Sequence, residues 1–174
     1  MLALIVVEHL EADPLGRPGF EHRQRQDVLL VDPDLDVVSD GEYRLDGGAM
    51  FGVVPKSLWS RVKSCDEQNR IRMGTNCLLV RDGAEVLLVD TGIGDKHDTK
   101  FRGIYGMADG GPRLLEALAA VGVEPHEVTR VLLSHLHFDH CGWNTRREGE
   151  RVVPTFPNAR YWVDFDDFTF YRMD

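Results

Sequence analysis

The sequence predicts an α/β fold in which a mixed β-sheet carries flanking helices. Residues 76–81 (NCLLVR) and 85–90 (EVLLVD) are apolar runs on either side of Asp82-Gly83, and this arrangement is a strong signal for an antiparallel hairpin. Residues 128–134 (VTRVLLS) form a nearly continuous apolar run of the kind found in strands buried on both faces. A helical pattern lies between the hairpin and this strand, and such an order indicates α/β architecture.

The remaining elements follow from local patterns. Residues 112–121 are predicted to be a helix, because Pro112 suits a first helical turn and Gly122 suits a helix end. A polar loop is expected after residue 142, and a last helix is expected to begin at Asp164. The other predicted strands are residues 28–31, 36–38, 43–45 and 159–163, with a turn at Asp40-Gly41.

Length and charge limit the classes of protein to which the chain can belong. Its 174 residues fit one domain. We expect residues 1–30 to be a leader of uncertain order and residues 31–174 to be the domain. The formal net charge of -9 argues against a nucleic-acid partner and against docking on anionic membranes, since both need a basic surface.

The cysteines and the N-terminus bear on location. Three widely spaced cysteines form neither a disulfide framework nor a Cys-x-x-Cys metal clip. The apolar start MLALIVV is short and lacks a basic flank, so it is a poor signal peptide, and the sequence has no apolar run long enough for a membrane helix. These features predict a cytoplasmic location.

The residues most informative about chemistry are the stretch SHLHFDHCG at positions 134–142. His135 and His137 are two residues apart, so both side chains point the same way in an extended segment. Asp139 and His140 follow where the chain turns, which directs them to a neighbouring point. A solvated loop would explain a lone His-x-His, but the full motif directly after an apolar strand is more specific.

This motif can serve two metal ions. Neutral imidazole and carboxylate are good ligands for Zn²⁺ and related divalent ions, and one short segment can give two ligands to each of two ions. Two ions about 3.5–4 Å apart can hold a bridging hydroxide at neutral pH, while one of them polarises the oxygen of the bond under attack. Hydrolysis is the chemistry that this arrangement predicts.

The motif resembles the signature of the metallo-β-lactamase superfamily. The strand that ends in Asp90-Thr91-Gly92, followed by a helix, a strand and His-x-His-x-Asp-His, agrees with that family. Four further stretches are similar to a bacterial branch that includes N-acyl-homoserine lactonases: DGGAMFGVVPK, DTGIGDK, NTRR and PTFPNARY, at residues 46–56, 90–96, 144–147 and 154–161. The resemblance implies the N-terminal half of an αββα sandwich.

The resemblance also implies roles for single residues. His135 and His137 would bind the first metal, and Asp139 and His140 the second, with Asp139 also contacting the leaving group or handling protons as a catalytic residue. Asp90 would lie behind the metals and orient a ligand histidine. Met50 and Phe51 are candidates for an acyl pocket, although core packing is the more frequent fate of such residues.

The sequence departs from the family pattern after His140. The family supplies a third histidine for the first metal, a bridging aspartate and one more histidine for the second, yet no histidine follows His140 here. We therefore expect a chain truncated at its C-terminal end, with impaired or absent activity by itself and with apolar surface that favours a homo-oligomer.

The predicted function is thus a dinuclear zinc hydrolase, in which a metal-bound hydroxide opens a lactone or related small-molecule ester. Other divalent metals could replace zinc. The alternatives are a non-catalytic remnant, or a hydrolase of the same fold from another class, such as a thioesterase or a phosphodiesterase.

Overall fold

A computed structural model of the chain describes residues 34–107 and 113–163. The strands in these residues are β1 (Asp34–Asp46), β2 (Arg70–Asp82), β3 (Glu85–Val89), β4 (Arg130–Leu132), β5 (Thr145–Glu148), β6 (Arg151–Pro154) and β7 (Arg160–Trp162). The α-helices are α1 (Gly47–Phe51), α2 (Lys56–Trp59), α3 (Thr99–Ile104), α4 (Leu114–Ala120) and α5 (Phe138–Cys141). Within the two described stretches, no helix is both long and apolar enough to cross a membrane.

Five strands form one mixed sheet in the order β1-β2-β3-β4-β7. The strands β1, β2 and β3 pair antiparallel, whereas β3, β4 and β7 pair parallel. The predicted hairpin joins β2 to β3, and Gly83 adopts a φ of 58° in its turn, a value that glycine reaches without steric cost. The prediction of an α/β fold with a mixed sheet and flanking helices is confirmed.

The predicted turn at Asp40-Gly41 is wrong, because β1 runs through it as a single strand. Ser39 lies opposite Asn76 and Glu42 lies opposite Gly74, so β1 contains one residue more than β2 between these pairs. This is a β-bulge, and Gly41 has a φ of 102° within it. Because strand side chains alternate between faces, the extra residue changes which positions point inward beyond the bulge.

Several elements differ from the sequence predictions. The polar loop expected after residue 142 contains the two-stranded hairpin β5–β6, and the short helices α1, α2 and α3 lie where no helix was predicted. Strand β4 is shorter than residues 128–134, and β7 is shorter than residues 159–163. The proposed leader, the strand at residues 28–31, Pro112 and the helix expected from Asp164 lie outside the described residues.

The core lies between the sheet and α4. Leu114 and Leu118 of α4 are fully buried. They belong to an apolar cluster that includes Val38, Cys77, Leu79, Leu88 and Val131 of the sheet, together with Leu133, which follows β4. A helix of two turns has little stability in isolation, so this packing, which buries one apolar side of α4, is what maintains it.

The opposite face of the sheet carries an apolar row that is open to solvent. Its members are in register on five neighbouring strands: Val37, Leu78, Val89, Leu132 and Trp162. Val37 is 71% exposed and Leu132 is 42% exposed. Contiguous apolar surface of this kind is uncommon on soluble monomers and often marks a place where another surface packs.

The bulge directs the side chain of Asp40 into the interior, where it is 2% exposed. Its Oδ2 accepts hydrogen bonds from the backbone N–H groups of Ile93 (2.7 Å) and Gly94 (3.1 Å). Its Oδ1 accepts from the backbone N–H of Leu114 (2.8 Å) and from Nε1 of Trp143 (2.7 Å). Burial raises the pKa of Asp40, while the four donors act in the opposite direction.

We predict that Asp40→Asn destabilises the chain by about 2–4 kcal/mol. An amide offers one acceptor oxygen and one NH₂ group, so it can serve one pair of donors and must leave the other pair unsatisfied, at about 1–3 kcal/mol for each buried donor. That loss outweighs the relief from removing a buried charge. The free energy of urea unfolding measures the change.

Asp36→Asn is the matched control on the same strand. Asp36 pairs with Arg81, and both side chains are partly exposed. Removing one partner of such a pair costs at most about 1 kcal/mol. Equal unfolding free energies for the two variants would show that the four hydrogen bonds of Asp40 do not stabilise the fold.

Candidate metal centre

The candidate site lies where two neighbouring parallel strands end. Asp90 directly follows β3, and residues 134–140 follow β4 after Leu133. The backbone N–H of Asp90 donates to the carbonyl of Leu132 (2.8 Å), which holds these two strand ends together. Ligands of α/β sheets commonly bind beyond the carboxyl ends of parallel strands, so the topology brings the motif to a favourable position.

Asp90 connects the two strand ends through its side chain. Its Oδ1 accepts from the backbone N–H of Ser134 (2.8 Å), and its Oδ2 accepts from the Ser134 hydroxyl (2.9 Å). The same Oδ2 lies 2.8 Å from Nδ1 of His140. When that nitrogen carries the proton, it donates to Asp90 and leaves Nε2 free to bind a metal. The structure thus places Asp90 behind a histidine of the motif.

Four predicted ligands form two pairs of facing donor atoms. Nε2 of His135 lies 2.9 Å from Nδ1 of His137. Oδ2 of Asp139 lies 3.4 Å from Nε2 of His140. A tetrahedral zinc ion with bonds of 2.0–2.1 Å holds neighbouring ligand atoms roughly 3.3 Å apart, which matches the separation between Asp139 and His140. The separation between His135 and His137 is shorter and is that of a hydrogen bond between the two rings.

The donors fit divalent metal ions in chemical type, but not in number. A structural zinc site has four ligands, and a catalytic site has at least three from the protein. Among residues 34–107 and 113–163, no group of three or more histidine, cysteine, aspartate or glutamate side chains is arranged to hold one ion. Each ion would therefore need donors beyond its pair.

The surroundings favour a neutral imidazole at His135. Burial lowers the pKa of this ring, and the neighbouring His140 and His137 lower it further, while Asp139 and Asp90 raise it. The ring centroids of His135 and His140 are 4.0 Å apart, so the first and last histidines of the motif are in direct contact. A neutral ring is the form that can bind a metal.

The loop after β3 fixes the backbone of the motif. Thr91, which is fully buried, donates from its backbone N–H to the carbonyl of His140 (2.7 Å) and from its hydroxyl to Asn144 (2.9 Å). The backbone N–H of Gly142 donates to the carbonyl of Gly92 (2.7 Å). Lys96 adds hydrogen bonds from Nζ to the carbonyls of Gly142 and Thr145. The resemblance pointed to this loop but not to these contacts.

Tyr43 is a residue of the site that the sequence analysis missed. Its hydroxyl donates to Oδ2 of Asp139 (2.7 Å), and burial and this hydrogen bond both raise the pKa of the phenol. The apolar residues of β1 give no signal for it, because Leu35, Val37 and Leu45 are all odd-numbered. In the structure the buried positions change phase, from the even-numbered Val38 and Asp40 to the odd-numbered Tyr43. Such a change within a strand indicates a bulge, and Gly41 marks its place.

An aromatic cluster covers one side of the motif. The ring of Phe138, inside the motif, lies 5.2 Å from Phe101 and 4.7 Å from Tyr105 between ring centroids. His97 stacks on Phe101 at 3.9 Å. These contacts hold α3 and the residues beside it against the motif, with edge-to-face and tilted rings that are favourable for aromatic pairs.

The two residues considered for an acyl pocket lie on α1. Met50 is 46% exposed, and the ring of Phe51 stacks on Trp59 at 5.1 Å. Asp46 begins this helix by accepting a hydrogen bond from the backbone N–H of Ala49 (3.1 Å). The role of Met50 and Phe51 in substrate binding stays a prediction.

The family comparison covers most of the described residues. Residues 70–172 match the family model described as the metallo-β-lactamase superfamily, which is more than half of the chain. This segment contains β2, the loop after β3 and the complete motif at residues 134–142.

Individual relatives agree with this match. A probable metal-dependent hydrolase from Staphylococcus aureus has a similar structure, with a TM-score of 0.75 and 32% identity over 82% of this chain and 50% of its own. A hydrolase of the β-lactamase superfamily has a TM-score of 0.60 and 26% identity over 81% of this chain and 44% of its own. An N-acyl homoserine lactonase from Bacillus cereus is 29% identical over 85 residues, which are 44% of this chain and 34% of the relative. The chain spans half of these relatives or less.

We predict that Gly142→Ala destabilises the chain by about 1–3 kcal/mol or more, because the added methyl group has no space. A Cβ at this position would lie 1.8 Å from the carbonyl oxygen of Ile93, and backbone atoms cannot easily move away. The φ of Gly142 is -61°, which any residue can adopt, so it is the close contact that requires glycine. Thermal and urea unfolding measure the change.

Gly103→Ala is the matched control. Gly103 lies in α3, and a Cβ there would meet no atom within 4 Å. Alanine is the better helix former, so this variant should be unchanged or more stable by about 0.5–1 kcal/mol. A Gly142→Ala chain as stable as Gly103→Ala would contradict the close packing of the loop on the motif.

Proposed function

We propose that this chain, which belongs to the metallo-β-lactamase superfamily, is a metal-dependent hydrolase whose substrate is a lactone or a related ester. The observation that carries the proposal is the convergence of Asp90 and the four donors of the motif at the ends of β3 and β4. The similarity to a curated N-acyl homoserine lactonase supports the choice of substrate class.

Each residue of the site has a part in this proposal. His135 and His137 would hold one zinc ion, and Asp139 and His140 a second, in a complete site of two ions. Asp90 would accept the proton of His140 at Nδ1 and so present Nε2 to the metal. When bound, two such ions supply a water of lowered pKa and an electrophilic contact for the carbonyl oxygen.

Asp139 is the proposed catalytic residue. Its carboxylate lies beside the donor atoms of the motif and is held by a hydrogen bond, so it can take up the proton released by water and return it to the leaving alkoxide. Met50 and Phe51 would contact the acyl part of the substrate. Asp90 is held in position in this scheme by the hydrogen bonds that it accepts from Ser134.

A non-catalytic metal-binding role is the second candidate. The described residues supply two donors to each proposed ion, and no third donor closes either site among them. We therefore expect weak metal binding and little or no turnover from the 174-residue chain by itself, with full activity in a protein that supplies the further ligands. Thioester or phosphodiester hydrolysis would be a variation of the same chemistry.

The location and assembly of the protein are also part of the proposal. The three cysteines are free thiols, which agrees with a reducing cytoplasm. The apolar row on the open sheet face supports self-association, with a small molecule as substrate and no nucleic acid as partner. Sedimentation velocity over a range of concentrations measures the association.

We predict that His135→Ala lowers both the metal content and any hydrolysis by the chain, because it removes one donor of the first pair. Elemental analysis of the purified 174-residue chain, followed by hydrolysis assays, measures this. The substrates are a lactone, a linear ester, a thioester and a phosphodiester. The expected order has the lactone first, with the linear ester next.

His126→Ala is the control for the histidine substitution. His126 is exposed and lies in a short 3₁₀ helix before β4, away from the motif. It should keep the metal content of the original chain. Metal that is bound equally by all three proteins would exclude the motif as the binding site, and cleavage of the thioester or phosphodiester alone would exclude the lactone.

A further inference from the structure

We propose that Tyr43 is a positioning residue for the second metal site, because its hydroxyl fixes the carboxylate of Asp139 in the orientation that pairs it with His140. The inference rests on the proposed function. It adds to the site a residue of β1, which precedes the motif by about ninety positions in the sequence. Tyr43 acts through Asp139 and does not itself need to touch substrate or metal.

Tyr43 contacts Asp139 directly. The Tyr43 hydroxyl donates to Oδ2 of Asp139 at 2.7 Å, a short distance typical of a hydrogen bond to a charged acceptor. The same Oδ2 is the atom that lies 3.4 Å from Nε2 of His140. An ionised carboxylate oxygen has two lone pairs, so one can accept from Tyr43 while the other is directed toward His140 and a shared ion.

Tyr43 is itself held in place by the residues around it. Its side chain is 3% exposed, and its ring lies 5.9 Å from Phe138 and 6.4 Å from Tyr105 between centroids. The bulge in β1 turns Tyr43 inward, and its position opposite Met73 in the register anchors the strand. A donor that is fixed by packing can orient a ligand without losing further conformational entropy when metal binds.

The hydroxyl of Tyr43 and its ring make different contacts. Tyr105 belongs to the same cluster and lies 4.7 Å from Phe138, but the hydrogen bond to Asp139 comes from Tyr43. Removing the hydroxyl of either tyrosine leaves the aromatic packing in place. Tyr43→Phe and Tyr105→Phe therefore remove the same atom from the same cluster, and they differ in the contact with Asp139.

The test compares these two variants with the original chain by cobalt(II) titration, with the visible d–d absorption as the signal for metal in the site. We expect Tyr43→Phe to weaken cobalt binding by about 10–100-fold, the usual effect of losing a hydrogen bond that orients a ligand. Tyr105→Phe should bind cobalt within about twofold of the original chain, since it leaves Asp139 untouched.

A second measurement needs no metal. The carboxyl ¹³C resonance of Asp139 is recorded at one pH in aspartate-labelled protein and assigned by its loss in Asp139→Asn. It should move in Tyr43→Phe and stay in place in Tyr105→Phe. An unmoved resonance in Tyr43→Phe overturns the proposal, because the hydrogen bond would then not exist.

The remaining outcomes distinguish the two proposals. A resonance that moves while cobalt affinity stays equal in Tyr43→Phe and the original chain overturns the positioning role alone. An original chain that takes up no cobalt overturns the proposed metal binding by this chain and, with it, the metal-related role of Tyr43, whereas the resonance still reports whether Tyr43 holds Asp139.

Discussion

The buried carboxylate of Asp40 is the interaction on which the rest of the structure depends. Its four hydrogen bonds join the bulge of β1 to the loop after β3, to the first turn of α4 and to Trp143 beyond the motif. These segments are far apart in sequence. A charged group is costly to bury unless its oxygens are all satisfied, so this cost is offset only when the four segments are assembled together.

The site follows from that assembly through backbone contacts. Asp40 fixes the loop at residues 91–94. In this loop the backbone N–H of Thr91 donates to the carbonyl of His140, and the carbonyl of Gly92 accepts from the backbone N–H of Gly142. Asp90 holds a φ of 60°, an unusual conformation for a residue with a side chain, and it does so while its carboxylate contacts Ser134 and His140. Backbone strain of this kind is typical of functional positions.

The sequence was sufficient to predict elements that depend on local patterns. The hairpin at Asp82-Gly83, the helix near residues 114–120 and the order of strands around the motif follow from turn residues and apolar spacing, and the structure contains them. The bulge at Asp40-Gly41 could not be distinguished from a turn, because the same two residue types favour both. The contact between Tyr43 and Asp139 was out of reach for the same reason, since the inward direction of Tyr43 depends on the register beyond the bulge.

The apolar row on the open face of the sheet has a thermodynamic consequence. Its five members come from five strands, so the surface exists only when the whole sheet is in register and is absent from any part of the unfolded chain. A layer that covers this face therefore binds the folded state selectively. By mass action it raises the free energy of unfolding in proportion to the logarithm of its concentration, whether it is a second copy or another polypeptide. The stability of this sheet is then a property of the sheet and its cover together.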